Sequence, residues 1–288
     1  MAKLGNLASR FLVALVAAPV VLTIIYMDRP EPTWVLVTLA MVLAMREFFV
    51  MTLPEGPDRL VSLVCGVVTS AALYWSSPAA LGKAGGVFLA ISASGSLFVI
   101  LLAVIPVTLY YLFRLGDMQT LAARMAYSVT GIVYVGLLLS FLALIKRDFA
   151  GQGGHLIVLV LVVAWVGDTG AYFAGRFLGD RKLYPAVSPK KTWAGAYGGV
   201  AASLASAVVV KLLLLPALSW VDVVLLSVPG AILGQMGDLV ESLVKRSTGV
   251  KDSGAILPGH GGMLDRVDAV LFLAPYVYAY MTIRAALA

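Results

Sequence analysis

The chain has 288 residues, 61% of them hydrophobic and only 12% charged, with a net charge of +6 and a mean hydropathy of +0.96. Soluble domains are about 45–50% apolar and about 25% charged. The departure covers nearly the whole length and excludes a soluble enzyme, a disordered chain and an outer-membrane barrel, whose strands would alternate apolar and polar residues.

What remains is an all-α fold, a polytopic helical membrane protein. A spanning helix needs about 20 mostly apolar residues. Nine stretches qualify: 11–27, 33–53, 60–75, 87–113, 127–145, 156–177, 193–215, 220–236 and 267–283. Pro30, Pro32, Pro54, Pro57 and Pro216 punctuate the connections. The first stretch follows Lys3 and Arg10 as a signal peptide would. It is longer than a usual signal core and ends in no clear cleavage site, so it reads as an uncleaved anchor. The lone Cys65 lies in an apolar run and cannot close an intrachain disulfide.

Lysines and arginines in the loops set the orientation. A cytoplasmic N-terminus puts 15 of them inside and 6 outside, accounting for all 21. Nine spans then leave the C-terminus outside. In such a chain the positive charge concerns topology and anionic headgroups, and no nucleic-acid partner is expected.

Residues 1–150 read as a generic transmembrane scaffold, with room for dimer contacts. Most charges there sit at span ends, where they can snorkel. Arg46–Glu47 interrupts the second span and reads as a local ion pair near an interface. The absence of an internal repeat disfavours an inverted-repeat transporter.

Residues 151–288 carry the chemistry. His155 in a glycine-rich loop reads as solvent-exposed. Asp168 lies within the sixth span, as a partner for nearby cations or part of a polar cavity. The stretch Ser188–Pro–Lys190–Lys191–Thr192–Trp193 is either a positive-inside anchor with an interfacial tryptophan or a phosphate-binding element. Asp238, Glu241, Ser242 and Lys245 follow at i, i+3, i+4 and i+7, so on a helix they form one polar stripe. That stripe is a solvated helix end or the wall of a cavity; Asp238 abuts the apolar span, which favours the cavity.

The block from Lys251 to Asp268 places Gly259, Gly261 and Gly262 around His260. A glycine turn before a helix offers free backbone N–H groups to phosphate. Asp265 and Asp268 are one turn apart at that helix start, as dipole partners or ligands. Together with Asp238 they make hard oxygen ligands suited to Mg²⁺. Lys245, Arg246, Lys251 and Arg266 would neutralise phosphate oxygens. Carboxylates, cations and a glycine turn are the parts of metal-assisted phosphoryl chemistry. The sequence holds no Walker-type loop, no H-E-x-x-H and no zinc-type spacing.

These residues resemble the signature of the phosphatidate cytidylyltransferase (CDP-diacylglycerol synthase) family. The match runs as S-x-x-K-R-x-x-x-x-K-D from Ser242 to Asp252 and P-G-H-G-G-x-x-D-R-x-D from Pro258 to Asp268. It extends to Gly237–Asp238 with Glu241, to Val187–Trp193 and to Gly167–Tyr172, covering roughly residues 164–278. One departure is Ala194, where many relatives carry an acid.

The resemblance implies an inner-membrane enzyme of phospholipid synthesis, often dimeric, that converts CTP and phosphatidate to CDP-diacylglycerol and pyrophosphate. It implies Mg²⁺ on Asp238 and Asp265, with K⁺ as a companion ion. On that reading the lipid phosphate attacks the α-phosphorus of CTP in line at the cytoplasmic interface. Lys245, Arg246, Lys251 and Arg266 hold the triphosphate, and His260 donates to phosphate. Asp252 and Asp268 orient the cations. Ser188, Lys190, Lys191 and Thr192 grip either lipid phosphate or nucleotide. Asp168, Glu241, Ser242, Gly261 and Gly262 complete the expected binding set. The rival readings are a secondary transporter using Asp168 and Asp238 as ion sites, and a cytidylyltransferase or kinase acting on an isoprenoid lipid.

Overall fold

The computed structural model of the chain describes residues 17–76, 95–114, 116–254 and 261–287. Among the described residues there are nine helices and one two-stranded hairpin. The helices are α1 (Ala17–Tyr26), α2 (Glu31–Thr52), α3 (Gly56–Trp75), α4 (Gly95–Phe113), α5 (Met118–Asp148), α6 (Gly153–Leu178), α7 (Trp193–Leu213), α8 (Trp220–Ser247) and α9 (Leu264–Leu287). The antiparallel strands β1 (Lys182–Tyr184) and β2 (Ser188–Thr192) lie between α6 and α7. Seven helices are long and apolar enough to cross a membrane, whereas α1 and the apolar part of α4 (Val99–Phe113) are shorter. Each of the nine predicted stretches falls on one helix, with 11–16 and 87–94 outside the described residues.

Two helices outrun their predicted limits for local reasons. The carboxylate of Asp117 accepts from Gln119 N at 3.0 Å, which starts α5 nine residues before the predicted 127. α8 continues to Ser247 because its polar stripe keeps helical spacing beyond the apolar run. Inside α5, Ile132–Leu137 widens to a π-helix, a feature no sequence signal gave.

The chain divides into two compact units. The first comprises residues up to Pro19, Glu31–Ala143 and Ser253–Leu264. Met41, Met45, Phe48, Phe49 and Ile132 are almost fully buried in its core. Lipid tails are as apolar as these side chains, so burial alone does not order the helices. Hydroxyl pairs do: Ser62 donates to Ser128 at 2.8 Å, and Ser70 pairs with Ser140 at 2.6 Å, both linking α3 to α5. Asp58 is fully buried and meets Arg124 at 2.9 Å, while Glu55 bridges Arg124 and Arg114, each at 2.9 Å. Removing one partner of such a group leaves an uncompensated charge, so the cluster fixes how α3, α4 and α5 meet.

The second unit comprises Val20–Pro30, Leu144–Asp252 and Asp265–Ala288. Its helices α6 and α7 touch along a seam of small residues, as expected where close backbone approach replaces hydrophobic drive. A Cβ on Gly170 would lie 2.3 Å from Ala202 Cβ, and one on Gly198 would lie 2.2 Å from Ala174 Cβ. Ser203 adds a bond to Val163 O across the seam at 2.8 Å. Gly170→Ala is therefore expected to force the helices apart and to cost about 1–3 kcal/mol. A thermal midpoint in detergent equal to that of the parent chain would contradict this. At the other end, Asp222 in the capping box of α8 accepts from Tyr280 at 2.6 Å and pairs with Arg284 at 3.1 Å. This latch ties the start of α8 to the end of α9.

Candidate active site

The basic stretch after α6 becomes the β1–β2 hairpin, which sequence reading left without an element. Its strands of three and five residues, with Pro189 inside β2, are too short to give a periodic signal. Thr192 ends β2 and caps α7, its hydroxyl accepting from Gly195 N at 3.1 Å. The strand therefore delivers Lys190 and Lys191 directly above the start of α7.

A pocket of about 330 Å³ opens beside them. It is lined by Asp168, Tyr172 and Arg176 of α6, by Lys190 and Lys191, and by Asp238 of α8. Lys191 Nζ donates to Asp238 Oδ2 at 2.5 Å, which joins the hairpin to α8. Arg176 donates to the Tyr172 hydroxyl at 2.9 Å, one turn away on the same helix. Gln235, a turn before Asp238, donates to Ala196 O at 3.1 Å and pins α8 against α7. Sequence reading did not single out Tyr172, Arg176 or Gln235 as site residues. The first two were legible as an i, i+4 pair facing the side of Asp168.

Behind the pocket lies a carboxylate cluster. One oxygen each of Asp238, Glu241 and Asp268 falls within 4.8 Å of the others. Glu241 is 1% exposed and Asp268 9%. The helical spacing puts Asp238 and Glu241 on one face of α8, and α9 brings Asp268 to them. Lys245, one turn after Glu241, donates to Glu241 Oε2 at 2.7 Å and to Asp265 Oδ1 at 2.6 Å. Asp168 feels the charges of Asp238, Lys191 and Arg266.

The donor set fits a hard dication. It consists of carboxylate oxygens alone, and the second oxygen of Glu241 is buried without a hydrogen-bond partner. Lys191 pairs with Asp238, and Lys245 with Glu241 and Asp265, so lysines from β2 and α8 stand against these carboxylates. Ionisable groups gathered on apolar helices are costly and mark function by default.

The other predicted residues are distributed as follows. Ser242 lies 3.5 Å from Asp238 Oδ1, at the limit of a hydrogen bond. Ser188 is half-buried at the start of β2. Arg246 turns away and donates to Val250 O at 3.2 Å, closing the end of α8. Lys251 and Asp252 are exposed in the turn that follows, and Arg266 is exposed on α9. Gly261 and Gly262 belong to the first unit. His260 and Gly259 lie outside the described residues. His155, read as exposed, is half-buried and hydrogen-bonds Tyr26 at 2.9 Å. Its ring stands next to a tyrosine on α1 that sequence distance hid.

Fold and site together define a polytopic helical membrane protein with a charged pocket of lysines and carboxylates suited to phosphate groups. A profile described as the cytidylyltransferase family matches residues 8–284, and the chain belongs to that family. It is 42% identical over 146 residues to the phosphatidate cytidylyltransferase of Bacillus subtilis, covering 51% of this chain and 54% of that protein. Against the enzyme of the same name from Brucella suis it is 43% identical over 159 residues, 55% of this chain and 58% of the relative. For Staphylococcus saprophyticus the figures are 41% over 150 residues, 52% and 56%. The chain thus spans a little over half the length of the curated relatives it matches.

Proposed function

We propose that this chain transfers the cytidylyl group of CTP to phosphatidate, giving CDP-diacylglycerol and pyrophosphate, at the cytoplasmic face of a bacterial inner membrane. An oxygen of the lipid phosphate bonds to the α-phosphorus, and the bond from that phosphorus to the β-phosphate bridging oxygen breaks. The observation that carries this reading is the meeting of Asp238, Glu241 and Asp268 within 4.8 Å, beside a pocket edged by Lys190 and Lys191. The names of the relatives support the choice of substrates.

The lipid phosphate is already anionic near neutral pH, so no side chain has to remove a proton from it. The barrier is the approach of two polyanions. Lys190, Lys191 and Arg176 line the pocket and lower that repulsion. Lys245 lies deeper, held by Glu241 and Asp265, and places a fixed positive charge next to the carboxylates. Asp238, Glu241 and Asp268 would hold Mg²⁺, which supplies charge neutralisation to the reacting phosphates when bound. Asp265 belongs to the same network through Lys245 and is expected to be needed as well. K⁺ as a companion ion is part of the same proposal.

The test is an assay of the purified protein with CTP, phosphatidate and Mg²⁺. Pyrophosphate and a cytidylyl lipid are expected only when all three are present. Product from a polyprenyl acceptor but not from phosphatidate would move the reading to an isoprenoid substrate. Solute movement without nucleotide consumption would mark a transporter.

Lys190 is exposed on β2, so Lys190→Ala should leave folding intact. The variant is expected to raise KM for one phosphate-bearing substrate by about tenfold, the value of one charge-assisted contact. Whether CTP or phosphatidate shows the rise identifies the group that Lys190 meets. Unchanged KM for both substrates would remove Lys190 from the binding set.

A further inference from the structure

Glu47 is a charged residue in the C-terminal part of the apolar helix α2 (Glu31–Thr52), and it is only 3% exposed. Its sequence neighbour Arg46 suggests a local ion pair, yet the carboxylate is engaged elsewhere. Oε1 accepts from Met263 N at 3.0 Å. Oε2 accepts from Leu264 N at 2.9 Å and from Ser253 Oγ at 3.1 Å. All four residues lie in the first unit. One carboxylate therefore grips both ends of the signature segment between Ser253 and Leu264.

The packing around it leaves no room for adjustment. A Cβ on Gly254 would come within 2.5 Å of Glu47 Oε1. A Cβ on Gly262 would stand 2.0 Å from Ser253 Oγ and 2.5 Å from Glu47 Oε2. Gly261, with φ of +80°, adopts the left-handed backbone that favours glycine. Gly254 and the signature's Gly262 leave no space for a side chain because the Glu47 carboxylate presses on them. The N–H groups it accepts from are those at the start of α9, where a negative charge is favourable.

We propose that Glu47 is a positioning residue for the proposed cytidylyl transfer: it fixes the Gly261–Gly262 turn and the Met263–Leu264 backbone that follows it in their working geometry. The inference rests on the function proposed above. A neutral amide at this place keeps the shape but presents an NH₂ group to backbone donors. At least one of the three bonds must then break.

The experiment compares the full-length chain with Glu47→Gln in detergent, by turnover and by hydrogen exchange of the segment 261–270. The variant is expected to lower kcat by about 10- to 100-fold, the range for lost bonds to a charged acceptor. KM for phosphatidate should stay unchanged, and exchange should quicken at Met263 and Leu264 while the rest of α9 is unaffected. Ser253→Ala removes one of the three bonds and should show a smaller loss of the same kind. If Glu47→Gln does not fold, Ser253→Ala decides the outcome by the same two readouts. Wild-type kcat in the folded variant would overturn the proposal. So would a fall in kcat with unaltered exchange at 263–264, or exchange quickened evenly along the chain. If the wild-type chain makes no cytidylyl lipid, the proposed function falls, while the exchange comparison still decides whether Glu47 holds the turn.

Discussion

Asp238→Ala is expected to lower CTP-dependent lipid product by about 10³-fold or more, because it removes charge stabilisation worth several kcal/mol. Asp238 is the residue on which both halves of the charged site depend. One oxygen holds Lys191 of the hairpin at 2.5 Å, and the side chain also completes the cluster with Glu241 and Asp268. Its loss releases the hairpin lysine and leaves two acids where three converged. The variant should still fold, since Asp238 is partly exposed at the pocket wall rather than buried in apolar contacts. Asp238→Asn separates the two effects, because it keeps the volume and a hydrogen bond while losing the charge. Mg²⁺ should raise the thermal midpoint of the parent chain and not that of either variant. Near-normal product from purified Asp238→Ala would remove the cluster from the reaction.

Much of this site can be read in the order of residues alone. The stripe of Asp238, Glu241, Ser242 and Lys245 is a matter of helical spacing, and the structure keeps all four on α8. The continuation of α8 beyond its apolar run follows from the same pattern. What spacing cannot give is which carboxylates of different helices meet. The family resemblance pairs Asp238 with Asp265 on the ion. In the structure, Asp268 stands with Asp238 and Glu241, and Asp265 is occupied by Lys245. Three residues on α9, less than one helical turn, separate these two placements. Whether an acid faces α8 or its lysine depends on rotation of one helix about its axis.

Glu47 illustrates the opposite case. It was visible as a charge inside an apolar run, which at membrane depth is costly and calls for a partner. The nearest opposite charge in sequence is Arg46, and a local pair is the economical reading. The actual partners lie 206 to 217 residues away, and two of them are backbone N–H groups that carry no side-chain signature. The sequence offers Gly262 as part of a phosphate-binding turn and gives Gly254 no role. Their packing against a carboxylate gives them a steric reason as well. The hairpin was hidden for a different cause: short ribbons depend on their surroundings for stability. Here the ion pair from Lys191 to Asp238 and the bond from Trp193 N to Arg181 O, at 3.0 Å, supply that support.

Lys245→Met should produce the largest change in stability among substitutions at the site. Lys245 is 8% exposed and is the cation between Glu241 and Asp265, at 2.7 and 2.6 Å. Methionine keeps the length and apolar stem of the side chain, so packing changes little and the charge is what is lost. Glu241 and Asp265 then lose the cation they share, next to Asp238 and Asp268. Breaking a buried pair by removing one partner costs about 3–5 kcal/mol. The thermal midpoint in detergent should fall by on the order of 10 °C for a chain of this size. Glu241→Gln added to Lys245→Met removes one of the orphaned charges and should recover part of that loss. It should recover none of the turnover, because the fixed positive charge is still missing. Mg²⁺ should stabilise Lys245→Met more than it stabilises the parent chain, since the ion then does the neutralising that lysine did. A single variant as stable as the parent would mean that Glu241 and Asp265 are not both charged in the folded protein. A double variant that regained activity would mean that Lys245 acts only by holding the acids, and that the cation needed for turnover sits elsewhere.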